Sequence, residues 1–153
     1  MSPTSLGSIL DRKTIITDLK ADTKYDVIKE LAKKFFEQNY IDSIDEFVEA
    51  VYEREGEGAT GIGNGVAIPH GKSTTVKRSG VAIAILEHEI KWESLDDTGA
   101  KVVVLFDVGN DSEGAKKHLH TLSLFARKLG KSEVIDSLLN SKTVDDVIKA
   151  FDE

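Results

Sequence analysis

Apolar positions in this chain follow two spacings, and the switch between them separates helical from extended parts. Val27, Ile28, Leu31 and Phe35 recur at helical intervals, which places them on one face of a helix. Thr23 precedes that run with Asp26 three residues on, a capping-box-like start, and Asn39 with the next start signal ends it. Ser43 and Glu46 open a second helix in the same way. Ile44, Phe47, Val48 and Val51 form its apolar stripe, which runs out near Arg54. Upstream, Lys13 to Leu19 reads as a short strand or extended entry around Ile15 and Ile16. Downstream, Val66-Ala67-Ile68 reads as a short strand, and after a basic turn Gly80 to Leu86 reads as another. Val102 to Val108 is almost wholly apolar, the pattern of a central strand covered on both faces. Helices follow over roughly Ser112 to Leu129, Ser132 to Leu139 and Thr143 to Phe151. Helices on both sides of a strand block predict an α/β fold, a layered α/β/α sandwich with a central mixed sheet flanked by helices.

Composition narrows the classes. The 153 residues make one domain, 1–153, long enough to bury a substantial core. No apolar run approaches the roughly 20 residues of a bilayer span. Met1-Ser2-Pro3-Thr4-Ser5 lacks the basic and apolar regions of a signal peptide. The absence of cysteine excludes disulfides, thiolate metal sites and cysteine nucleophiles, and fits a reducing cytoplasm. A net charge of −7 disfavours nucleic acid and anionic membranes as partners.

Candidate chemistry gathers where the periodicity stops. Six of the 12 glycines fall between Gly56 and Gly71, and the stretch ends Ala67-Ile68-Pro69-His70-Gly71-Lys72-Ser73. Pro69 fixes its own φ and Gly71 is permissive, so the backbone is prepared to hold His70 in one presentation. The other glycines would let several N–H groups approach an oxyanion, which suggests a histidine that handles a phosphoryl group. Two nucleotide motifs are mimicked but not met. Gly56-Glu-Gly58-Ala-Thr-Gly61 has the dinucleotide spacing, but a helix precedes it where that motif needs a strand. Gly65 to Gly71-Lys72-Ser73 has one residue too many for a P-loop, with Pro69 and His70 in the turn.

His118 and His120 lie on the long helix, about 200° apart around its axis, so they cannot share a metal. Leu119, Leu122, Phe125, Ala126 and Leu129 define the expected buried face. His118 falls on it, one turn before Leu122, whereas His120 points to solvent with Arg127. His88, between Glu87 and Glu89, is expected to be exposed. Arg54 ends the second helix at the mouth of the glycine loop, placed either to cap the helix end or to offer a planar fork of donors to a phosphoryl oxygen.

Glu53-Arg54-Glu55, Thr60-Gly-Ile-Gly-Asn-Gly65, Val66-Ala-Ile-Pro-His-Gly71 and His118-Leu-His-Thr-Leu-Ser123 together resemble the enzyme IIA domains of the phosphoenolpyruvate:sugar phosphotransferase system, in the fructose, mannitol and nitrogen branch. The likeness covers nearly the whole chain, including the sixteen-residue step from Arg54 to His70. It implies that His70 accepts a phosphoryl group through Nε2 from the phosphohistidine of HPr and passes it to a cysteine of a IIB component, with a membrane IIC permease downstream. It maps the family's second histidine onto His118 and its arginine onto Arg54.

The chemistry expected of such a site is positioning and charge neutralisation of a nearly metaphosphate-like group by Arg54, His118 and loop N–H groups. No metal-ligand motif is assembled and the donor is a protein, so neither Mg²⁺, ATP nor another cofactor is expected. Fructose-type members resemble the chain at Gly80-Val-Ala-Ile-Ala and Lys91-Trp92-Glu93-Ser94-Leu95-Asp96. Nitrogen-type regulators resemble it from Thr60 to Gly71 and at His118-Leu-His-Thr-Leu-Ser123. The balance favours a fructose-class transport component, with a regulator that acts through its phosphorylation state as the alternative. A degenerate binding domain is disfavoured because Arg54, His70 and His118 are all present.

Overall fold

The computed structural model describes residues 6–152; the reading of Met1 to Ser5 lies outside them. Six strands form one mixed sheet: β1 (Ile15–Leu19), β2 (Gly61–Gly63), β3 (Val66–Ala67), β4 (His70–Ser73), β5 (Gly80–Ile90) and β6 (Ala100–Gly109). β6 is the hub. It pairs antiparallel with β5 on one edge, and on the other parallel with β3 and, further along, with β4. β1 adds parallel outside β5, and β2 antiparallel outside β3. The helices are α1 (Lys24–Glu37), α2 (Ile44–Glu55), α3 (Ser112–Leu129), α4 (Ser132–Leu139) and α5 (Val144–Asp152).

The α/β/α layering follows from period-two alternation in strands apolar on both faces. Ala82, Ala84, Leu86, Val103 and Leu105 pack against α1 and α2, while Val81, Ile83, Ile85, Val104 and Phe106 pack against α3, α4 and α5. α1 and α2 start as their caps predict: the Thr23 and Ser43 hydroxyls accept the Asp26 and Glu46 N–H groups, each such cap contributing about 1 kcal/mol. Asn39, just past α1, adopts a positive φ of 63°. Val102 to Val108 is the central strand that its apolar run predicts, and the three C-terminal helices lie where their patterns place them.

Three expectations need correction. His70 to Ser73 is not a turn but strand β4, in parallel register with Phe106 to Gly109. Four residues without an apolar side chain show no strand period; the exposed edge of β6 imposes it. β5 continues past Leu86 to Ile90 through the exposed Glu87-His88-Glu89, where its register with β6 shifts. In α3, Leu119 is 65% exposed and Ala126 is exposed as well. The helix rests on the sheet through Leu122, Phe125 and Leu129, a narrower stripe than the sequence suggests. Leu119 and Ala126 lie to one side of it, about 60° and about 40° around the axis from Leu122.

Candidate functional site

Pro69 breaks the run from β3 to β4. It has no N–H to give the ladder, but its carbonyl still accepts from Phe106 N–H at 3.1 Å, so β4 restarts in register with His70 as its first residue. Gly71 then faces α2: a Cβ there would lie 2.7 Å from Val51 Cγ2 and 2.9 Å from Phe47 Cε1. The alternation of a strand turns His70 the other way, towards α3. Its ring centre lies 4.9 Å from that of His118, tilted by 40°. His118 in turn meets Phe106 edge-on at 5.5 Å.

These rings border a cleft of about 400 Å³ that also takes in Arg54, Glu53, Lys72 and Leu119. A recess of about 110 Å³ beside it joins Arg54 and His70 to Leu95 and Leu122. The three residues singled out for this chemistry, His70, Arg54 and His118, therefore meet on one opening. His120 is exposed on the other side of α3, and His88 is exposed, 3.6 Å from Asp22. Lys72 and Leu95 were not singled out in the sequence as cleft residues, and Leu119 was assigned there to the buried face. Lys72 was findable in principle, since two residues along a strand return to the same face; Leu95 sits in a loop with no period to betray it.

Burial, and after it the positive charge of Arg54, lowers the His70 pKa below its usual value. His118 is pushed down to about 4, by burial first and by His70 second. Both rings are therefore neutral at neutral pH, the state in which an imidazole nitrogen has a lone pair to attack with. Nδ1 of His70 is buried without a hydrogen-bond partner, and the Ile68 backbone acts on the ring against the other two influences, favouring its protonated form. Arg54 Nη1 donates to the Gly58 carbonyl at 3.2 Å, which leaves most of its fork uncommitted.

The glycine loop does not cradle an anion as expected. The N–H groups of Gly61, Asn64, Gly65 and Ile68 bond Glu93 O, Asp96 Oδ2, Thr98 Oγ1 and Thr60 O. Gly63, Asn64 and Gly65 have φ of 98°, 57° and 80°, the left-handed turn that joins β2 to β3. The glycines build a hairpin that aims β3 and β4. Among the described residues no group of three or more metal-binding side chains comes together, and no helix is long and apolar enough to cross a membrane.

The sandwich and its cleft define a small α/β/α protein that presents one neutral histidine at a strand start, backed by a second. The chain belongs to the family "Phosphoenolpyruvate-dependent sugar phosphotransferase system, EIIA 2", whose profile matches residues 8–153. It is 32% identical over 151 residues to a fructose-specific EIIA component of Haloferax volcanii, covering 97% of each chain. It is 36% identical over 136 residues to a nitrogen regulatory protein of Escherichia coli, covering 84% of this chain and 78% of that one. The fold superposes on the crystal structure of nitrogen regulatory protein IIA-Ntr from Neisseria meningitidis with a TM-score of 0.85 at 25% identity, over 95% and 98% of the two chains. The chain spans only 23% of the EIIABC proteins it also matches. As a member of that family it is a phosphotransferase-system domain of the enzyme IIA type.

Proposed function

We propose that this chain carries its phosphoryl group on His70, receives it from HPr and passes it to a IIB cysteine that serves uptake of fructose or a related sugar. The observation that carries this reading is the setting of the His70 ring. Its Nδ1 is buried without a hydrogen-bond partner, which leaves Nε2 as the nitrogen to receive the phosphoryl group. The Nε2 lone pair forms a new N–P bond while the N–P bond of phospho-HPr breaks, its electron pair returning to the HPr imidazole. In the second transfer a IIB thiolate forms an S–P bond and His70 recovers its lone pair. Arg54 offers fixed charge and a planar fork to the phosphoryl oxygens. His118, tilted against His70, holds its ring and supplies a neutral hydrogen-bonding nitrogen. Leu95 and Leu119, 79% and 65% exposed, flank the opening, and exposed apolar residues around a cleft suit a protein donor.

The fructose reading draws on the fructose-type likeness at Gly80 to Ala84 and Lys91 to Asp96, together with the likeness to the Haloferax fructose component. A second reading, a regulator whose partners respond to its phosphorylation, draws on the 36% identity to the nitrogen regulatory protein. The two separate by loading the chain from phospho-HPr and adding a fructose-type IIB component. Transfer to the IIB cysteine supports transport. A phosphoryl group that stays on the chain, with a bacterial sensor or enzyme binding one phosphorylation state selectively, supports regulation. His70→Ala should accept nothing in either case.

A further inference from the structure

We infer that Thr60 is a positioning residue for phosphoryl transfer, the point through which a buried network holds Arg54 and His70 in register; this rests on the role proposed for Arg54. Three bonds meet at Thr60. Its hydroxyl donates to Glu55 Oε2 at 2.6 Å and accepts from Trp92 Nε1–H at 2.9 Å. Its carbonyl accepts from Ile68 N–H at 3.0 Å. The first bond closes the turn from Glu55 to Thr60, and inside that turn lies the Gly58 carbonyl to which Arg54 donates. The third ties down Ile68, two residues before His70, whose backbone also acts on the His70 ring. One side chain and its own backbone thus support both partners of the cleft.

The rest of the network makes Thr60 hard to move. Lys24 Nζ bonds Glu55 Oε1 at 2.8 Å, also pairs with Glu93 and lies 5.1 Å from the centre of the Trp92 ring. Burial works against the Lys24 charge, but Glu55 and Glu93 outweigh it and raise its pKa. The Glu55 side chain is 4% exposed, as are Thr60 and Trp92. Gly61 is strapped to the same segment, its N–H to Glu93 O at 2.9 Å and its carbonyl to Leu95 N–H at 3.1 Å. A buried polar network with every member satisfied rigidifies its surroundings, whereas apolar residues would serve stability alone at least as well. Its placement at the root of Arg54 and His70 is what points to positioning.

Thr60→Val keeps the shape and removes the hydroxyl; Thr60→Ser keeps the hydroxyl; Trp92→Phe removes only the N–H end of the network. Single-turnover phosphorylation by phospho-HPr, measured well below each variant's melting temperature, separates the transfer rate from HPr affinity. Thr60→Val is expected to slow transfer about tenfold or more, since small misplacements at a reacting centre are costly, with affinity unchanged. Trp92→Phe should slow it less, and Thr60→Ser should restore it to within about twofold. In an Arg54→Ala background Thr60→Val should add nothing. If Arg54→Ala transfers at the wild-type rate, the proposed role of Arg54 falls, and this inference with it. If Arg54→Ala is slow but Trp92→Phe and any folded Thr60→Val transfer normally with only a lowered melting temperature, the network is purely structural and the inference is overturned.

Discussion

Asp107 offers a quantitative test of how the sheet is built. It lies near the C-terminal end of β6, 1% exposed, with Oδ1 accepting the Gly80 N–H and Oδ2 buried without a partner. Burial raises its pKa from 3.8 to about 8, against the opposing pull of the Gly80 N–H and of Arg78. The folded chain therefore keeps a proton that the unfolded chain releases. Between those two values the native state binds more protons, so stability from this group is lost as pH rises, by up to about 1.4 kcal/mol per pH unit. From about pH 5 to about pH 7 that is roughly 3 kcal/mol, a large share of the 5–15 kcal/mol typical of a domain. Asp107→Asn keeps the acceptor for Gly80 and cannot ionise. Urea unfolding of both proteins across this range should show the variant gaining on the wild type with rising pH, levelling off near pH 8. The difference between the two cancels the other titrating groups. A gap that stays constant from pH 5 to pH 8 would refute the reasoning.

Gly71→Ala should destabilise by about 1–3 kcal/mol in thermal unfolding, because the new Cβ overpacks Val51 and Phe47. The midpoint of the fall in His70 phosphorylation rate with falling pH should lie below the ordinary histidine value of 6.5, since burial and Arg54 lower the His70 pKa; a midpoint at or above 6.5 would contradict this. His118, held neutral down to about 4 against an ordinary 6.5, makes the native state bind fewer protons in that interval. Stability should therefore be lost as pH falls from 6.5 towards 4, and His118→Gln should reduce that loss in pH-dependent unfolding. Leu119→Asp should raise the KM for phospho-HPr with little change in kcat or melting temperature, because the side chain is 65% exposed at the cleft lip.

The layers, the helix starts and the central strand were legible because they depend on periodicity and capping, which are local. His70, Arg54 and His118 could be singled out because a proline, a glycine and one helical face each leave a mark in the sequence. That His70 Nδ1 is buried without a partner was not legible, since it depends on where β6 sets the start of β4. The glycine loop misled for a related reason. Glycine density reports backbone freedom, but Glu93, Asp96 and Thr98, some thirty residues away in the chain, decide where its N–H groups are spent. The Thr60 network stayed hidden because its members, from Lys24 to Trp92, meet only in the folded sheet.

The central claim is that His70 carries the phosphoryl group on Nε2. Its most direct test is to phosphorylate histidine-¹⁵N-labelled protein with phosphoenolpyruvate, enzyme I and HPr, and to read the ring nitrogens by NMR. The account predicts one phosphohistidine, at His70 Nε2, with His118 unmodified and no adduct on His70→Ala. Phosphate on His118, attachment at Nδ1, or undiminished labelling of His70→Ala would contradict it.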